Sequence, residues 1–168
     1  MHVGRLSGFG QKIPVDFQLS LHSEGVASAY PDQPLAASAD DSVGQVLQLL
    51  RAQRTGAALI CEGDKLVGIL TERDALKLMA SDADLTMPVR QVMSREPTTI
   101  LSTATVAEAI RVMAEGGYRH LPIVDSDGKP TGVVAVHGIV HNLVDHFPAT
   151  IYNLPPDPKG APREREGA

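Results

Sequence analysis

Residues 42–75 of this chain read as a copy of residues 105–139, and a repeat of that length restricts the fold to two similar units packed on each other. Each copy opens with a hydroxyl residue followed three places later by Gln or Glu: Ser42 and Gln45 in the first, Thr105 and Glu108 in the second, 63 residues on. This is the sequence form of a capping box, in which the hydroxyl accepts from a helix N–H while the longer side chain reaches back. Apolar residues follow at helical spacing, Val43, Val46, Leu47 and Leu50 against Val106, Ala109, Ile110 and Met113. Each copy therefore predicts an amphipathic helix with one buried face. A short apolar strand comes next, 57–61 against 120–124, and then a polar turn, 62–65 or 125–129, whose greater length in the second copy moves the offset to 64. A second strand, the hairpin partner of the first, is expected to begin at Gly68 and Gly132. A further helix closes each copy, expected over 72–79 and 136–144.

At 168 residues and 43% hydrophobic content the chain is long enough for one compact core of two similar halves. That predicts one module, not two independent domains. The net charge is −5 and the 15 Lys and Arg form no dense basic run, which argues against nucleic acid as a partner. A small anionic ligand needs only a local basic spot. No apolar run approaches the roughly 20 residues of a membrane span, and the N-terminus lacks a signal peptide's apolar stretch, so no membrane association and a cytoplasmic location are expected. The lone Cys61 ends an apolar strand and is read as a small buried hydrophobe. Residues 1–34 are punctuated by glycine and proline, with strand-like alternation only at 15–19, and form an N-terminal extension of unread role. Residues 147–168, rich in proline and charge, are expected to be a mobile tail. Residues 87–100 predict a short helix and then an extended stretch, a structured connector.

Three strings carry a family resemblance: Gly68, Ile69, Leu70, Thr71, Glu72, Arg73 and Asp74 closing the first repeat, 92–100 ahead of the second, and 119–125 within it. In this order and duplication the chain closely resembles a tandem pair of cystathionine-β-synthase (CBS) domains, the Bateman module. The resemblance covers about 35–145 and implies an α/β (α+β) fold of two CBS repeats. Each repeat would be a small three-stranded sheet with helices on one face, the two packed sheet to sheet about a pseudo-twofold axis. The corresponding division is an extension over 1–34, a first repeat over 35–85, a second over 86–146 and a tail over 147–168. The resemblance further implies adenine nucleotides bound in clefts between the repeats, and two modules assembled into a disc-like homodimer.

The sequence places one ligand site on four residues. Thr71 and Asp74 stand where the second strand turns into its helix, whose N-terminus offers unpaired amide donors and a potential favourable to anions. An aspartate there can accept from both ribose hydroxyls, and a threonine hydroxyl can reach phosphate or sugar; the plainer use of the pair is to cap the helix. Arg119 and His120 precede the apolar strand of the other repeat, and pseudo-twofold pairing brings them across the cleft from Asp74, with phosphate as the implied partner. By family position Ala36, Ala58 and Ile69 form the apolar slot for adenine. The symmetry-related cleft has Ala135 and Gly138 where the first has Thr71 and Asp74, and Gly56 and Ala57 where it has Arg119 and His120. Ribose and phosphate groups are both read as missing there, which predicts one nucleotide per chain.

The expected function is a stand-alone regulatory sensor of AMP, ADP or ATP that needs no cofactor and signals through its dimer or an effector protein. S-adenosylmethionine is the alternative ligand. Two rival readings stay open: an enzyme, in which His137 and His141 share a helix face as metal ligands with Asp145 and His146 beyond, and a ligand-free dimerisation module. Two histidines fall short of the three protein ligands of an open zinc site, so neither metal nor catalysis is assigned.

Overall fold

The computed structural model describes residues 20–29 and 31–146; the alternating stretch 15–19 and the tail 147–168 lie outside the described residues. The first repeat runs β1 (Ala36–Ser38), α1 (Val43–Gln53), β2 (Ala57–Glu62), β3 (Lys65–Thr71) and α2 (Glu72–Ala80). A connector follows, holding a 3-10 turn over Val89–Gln91 and β4 (Ser94–Arg95). The second repeat runs β5 (Ile100–Leu101), α3 (Val106–Gly116), β6 (His120–Val124), β7 (Pro130–Ala135) and α4 (Val136–His146).

Both opening helices begin at their hydroxyl residues. At α1 the box is complete: Gln45 N donates to Ser42 Oγ at 3.2 Å and Ser42 N to Gln45 Oε1 at 2.9 Å. At α3, Glu108 N donates to Thr105 Oγ1 at 3.2 Å. Both helices end on a left-handed residue at the same place in the repeat, Gly117 with φ 66° and Arg54 with φ 52°. Glycine adopts that conformation freely, whereas Arg54 does so at a cost of about 1–2 kcal/mol.

In each repeat a parallel pair, β1 with β2 and β5 with β6, is joined through a helix, and an antiparallel hairpin follows. The hairpin strands begin earlier than the glycines suggest. Glu62 pairs with Lys65 across a two-residue turn in which Gly63 has φ 60°, and Gly68 and Gly132 lie beside bulges, opposite Ile60 and Ile123. A glycine inside a strand often marks a bulge, so these two locate irregularities rather than strand starts. The second turn is longer because Asp125 Oδ1 accepts from Asp127 N at 3.0 Å and Lys129 N at 2.9 Å, a side-chain-built loop. The second sheet has the expected three strands, β5-β6-β7; the first has four, β1-β2-β3-β4, because Ser94 and Arg95 pair with Ile69 and Gly68.

The alternation along β2 shows how the layers form. Ala58 and Ile60 point into a core with Val46, Leu50 and Leu70, beneath the helices of the first repeat. Ala57, Leu59 and Cys61 point the other way and meet Ile69 and Val133, the last from the second sheet. Side chains alternate faces along a strand, so a strand covered on both sides reads as the unbroken apolar run seen in the sequence. The second repeat buries Ala109, Met113, Leu121, Ile123, Val134 and Ile139 in a matching core. Between the tips of the two hairpins, Lys129 Nζ lies 3.3 Å from Asp64 Oδ1.

The leading segment of each repeat is fastened to the other repeat. Val26 and Ala29 are buried in the second repeat's core, where Val26 N donates to Ala104 O at 2.8 Å and Val106 N to Glu24 O at 2.9 Å. Asp32 exchanges two backbone hydrogen bonds with Val133 of β7, at 2.9 and 3.1 Å. The connector does the same for the first repeat: Val89 is buried beside Val46 and Leu70, Val43 N donates to Met87 O at 3.0 Å, and β4 extends the sheet. Part of the extension that the sequence left unread thus completes the far core.

Candidate functional site

The pairing of the repeats forms a cleft of about 520 Å3. Thr71 and Asp74 line it from the β3–α2 junction, and Arg119 and His120 line it from the mouth of β6, so four residues drawn from two repeats share one cavity. Two backbone hydrogen bonds set these junctions symmetrically. Glu72 N donates to Gly56 O at 3.1 Å and Val136 N donates to Arg119 O at 3.0 Å, each tying the start of a closing helix to the residue before a central strand.

Asp74 is held by its own helix start. Its Oδ2 accepts from Thr71 N at 3.0 Å and from Thr71 Oγ1 at 2.8 Å, and its Oδ1 lies 3.8 Å from Lys77 Nζ. The capping role is therefore present. It does not consume the carboxylate, which offers about four acceptor positions. The Asp74 side chain is 16% exposed, so it is oriented by Thr71 yet reachable from the cleft.

Arg119 is exposed, a forked cation at the cavity rim. His120 is half-buried, and burial holds its imidazole below the ordinary histidine pKa; Glu72 and Asp32 oppose that effect, while His137 and Arg119 reinforce it. The imidazole lies against Gly56, where a β-carbon would stand 2.8 Å from His120 Nε2 and 3.4 Å from the Glu72 carboxyl carbon. Gly56 thus admits the ring by having no side chain.

Ile69 lines the cleft, but the other two residues read as its adenine slot do not. Ala58 is fully buried on the helix side of the first sheet, because strand alternation turns it away from the side that carries Ile69. Ala36 is an exposed residue of β1 paired with Leu59 and is also not among the lining residues. The apolar wall gains Tyr118 instead, 42% exposed, whose hydroxyl oxygen accepts from Thr98 Oγ1 at 3.1 Å. Lys77 and Arg95 add cations. An aromatic residue directly before the Arg119 and His120 pair was the available signal for Tyr118; Arg95 gave none, since β4 enters by tertiary pairing.

The symmetry-related cleft, of about 670 Å3, corrects one sequence reading. It has no carboxylate at the place of Asp74, where Gly138 stands, but it is not without basic groups. Arg54, from the left-handed end of α1, and His137 and His141, from α4, all line it. None of the three stands at a place matching Thr71, Asp74, Arg119 or His120, so comparing those four positions alone did not show them. Glu72, Arg119 and His120 line both clefts and form a wall between them. His137 Nε2 is 4.0 Å from Asp32 Oδ2 and His141 Nδ1 is 3.2 Å from Asp145 Oδ2; no group of three His, Cys, Asp or Glu among the described residues is arranged to hold a metal ion. No helix among the described residues is long and apolar enough to cross a membrane.

This architecture has close counterparts. An uncharacterised 17.7 kDa protein of Acidianus ambivalens is 30% identical over 105 residues, which is 62% of this chain and 63% of that one, so the chain spans less than two thirds of that relative. The CBS domain protein PAE2072 from Pyrobaculum aerophilum, solved in complex with AMP, superposes with a TM-score of 0.65 at 23% identity, covering 72% of this chain and 98% of that one. The CBS domain pair of protein MJ0100, solved with 5-methylthioadenosine and S-adenosyl-L-methionine, gives 0.64 at 23% identity over 70% of this chain and 97% of that one. The family model for the CBS domain matches twice, over residues 26–81 and 89–145, one match per repeat. The chain belongs to the CBS domain family, as a tandem pair.

Proposed function

We propose that this protein is a regulatory module, not an enzyme, which binds one adenosine-containing nucleotide in the cleft shared by Thr71, Asp74, Arg119 and His120. The observation that carries this reading is the convergence of a ribose-type acceptor from one repeat and phosphate-type donors from the other on a single cavity of about 520 Å3, within the roughly 300–1,000 Å3 of small-molecule sites. Asp74 accepts the ribose hydroxyls, the start of α2 and Arg119 face the phosphate, and Ile69 with Tyr118 lines the base. AMP, ADP or ATP suits this arrangement. S-adenosylmethionine is the second candidate, supported by the MJ0100 complex, and it makes no use of Arg119 as a phosphate partner.

Regulation follows from differential binding. A nucleotide held between repeats favours the relative orientation in which both sets of groups reach it, and it shifts that equilibrium only by its affinity difference between the two states. The exposed Leu76 and Met79 of α2 and Val140 of α4 suit a homodimer or effector interface that reads the change. Calorimetric titration of nucleotide-free protein with AMP, ADP, ATP and S-adenosylmethionine tests the proposal. Saturation near one nucleotide per chain supports it. Two equal sites per chain contradict the single-site reading, and no binding by any of the four leaves the dimerisation module.

A further inference from the structure

The wall between the two clefts contains a titratable group in an unusual setting. His120 lines both cavities, is half-buried, and is seated in the space left by Gly56, with Glu72 closing on the same point. Charges face it from several elements. Glu72 on α2 and Asp32 ahead of β1 favour the imidazolium; His137 on α4 and the neighbouring Arg119 disfavour it. Arg54 beyond α1 and His141 on α4 share its second-cleft side, and Arg73, Asp74 and Lys77 on α2 with Arg95 and Glu96 of the connector share its first-cleft side. Without a ligand, the two carboxylates do not overcome burial and the neighbouring cation, so the ring stays neutral at a lower pH than an exposed histidine would.

Resting on the nucleotide reading above, we infer that a phosphate-bearing ligand enters the first cleft together with one proton, taken from solvent onto His120, so that phosphate recognition by this module is linked to pH. An anion in the cleft supplies the countercharge that the free protein lacks, and an opposite charge within about 4–6 Å favours the charged form of a titratable group by one to three pK units. A neutral ligand supplies none. The protonated ring donates from both nitrogens, adding a donor toward phosphate beside Arg119. Because the ring also lines the second cleft, its charge changes there as well, next to Arg54 and His137.

The sign follows from linkage. Where the liganded protein binds more protons than the free protein, affinity rises as pH falls, by at most about tenfold per pH unit for one proton. The test is calorimetry of the full chain with AMP and with adenosine at neutral pH, in two buffers of widely different ionisation enthalpy, for the wild type and His120→Gln. AMP's own phosphate ionises near pH 6 and contributes alike to both proteins, so their difference isolates His120. Expected are net proton uptake with AMP in the wild type, none with adenosine, and a loss in H120Q of the His120 share. Between about pH 6.5 and 8, wild-type AMP affinity should fall about three- to tenfold more than that of H120Q. Equal proton uptake by both proteins overturns the inference. Should H120Q fold poorly, an NMR titration of His120 in the wild type decides: an upward displacement of its midpoint on AMP saturation supports the linkage, and an unmoved midpoint refutes it. If AMP binds without a proton on His120, this inference fails alone; if neither AMP nor adenosine binds, it falls together with the nucleotide reading.

Discussion

Asp74 is asked to do two things at once, and two substitutions separate them. Its Oδ2 accepts from Thr71 N at 3.0 Å and Thr71 Oγ1 at 2.8 Å. Asp74→Ala removes both bonds and an acidic group from the first turn of α2. Hydrogen bonds to charged groups are worth about 1.5–3 kcal/mol each, but Thr71 is only half-buried and water can replace part of what is lost. Capping substitutions cost about 1 kcal/mol and the helix-dipole share adds roughly 0.3–1, giving about 1–2 kcal/mol in all. For a chain of 168 residues this lowers Tm by about 2–8 °C. In the proposed nucleotide complex the same change would remove two ribose hydrogen bonds. After water compensates in part, AMP affinity should fall about 10- to 100-fold, or roughly 1.4–2.8 kcal/mol.

Asp74→Asn keeps a carbonyl oxygen for the Thr71 donors but removes the charge and turns an NH2 group toward the ribose. Its Tm should lie within about 4 °C of the wild type, since the carbonyl oxygen can still accept from Thr71 at the helix start and only the helix-dipole share of about 0.3–1 kcal/mol is lost, while AMP affinity stays about tenfold down. Thermal melts without ligand, paired with calorimetric AMP titrations, measure both quantities on the same preparations. Wild-type affinity in Asp74→Asn, or a lowered Tm with unchanged affinity in Asp74→Ala, would show that Asp74 serves only as a cap.

Two simpler tests address other parts of the structure. Arg119→Ala should weaken AMP about tenfold or more and adenosine little, because the exposed guanidinium has phosphate as its assigned partner; equal losses in parallel titrations would mean that Arg119 supports the cleft wall instead. Cys61 is buried between the two sheets, and burial, aided by the nearby Asp64, raises its thiol pKa. At pH 7–8 a thiol-reactive disulfide reagent should therefore label it only as fast as the protein unfolds, and rapid labelling of the native protein would contradict this packing.

The sequence made the repeat legible because its signals are local. The hydroxyl and Gln or Glu pairs, the helical spacing and the polar turns each act within a few residues, so α1, α3 and both hairpins could be read directly. Gly68 and Gly132 were misread as strand starts because a glycine marks an unusual backbone without saying which one, and both sit beside bulges. The fourth strand of the first sheet was hidden because Ser94 and Arg95 have no strand pattern of their own and pair only once β3 is in place. Within the cleft, Thr71, Asp74, Arg119 and His120 followed from a motif and a symmetry. Ala58 was misplaced by alternation, which puts adjacent residues of one strand in different layers. Arg54 was missed because it stands at the end of α1, away from the four motif positions compared, and meets the second cleft only in the folded chain.

The crossed leading segments limit how the two repeats can move. Asp32 is bonded to β7 of the second sheet, and Leu35 O accepts from Leu59 N of the first sheet at 2.8 Å. Only Gln33 and Pro34 lie between them, a reach of at most about 11 Å, and Pro34 stiffens it. On the other side, Arg95 in the first sheet and Ile100 in the second are bridged by four residues that include Pro97. Two short struts therefore tether the halves at separate points, which limits how far they can separate. A ligand bound between the repeats would act on halves already tied at two edges, and Val26, Ala29 and Asp32, anchored on the second repeat, would move with the half to which they are not adjacent in sequence.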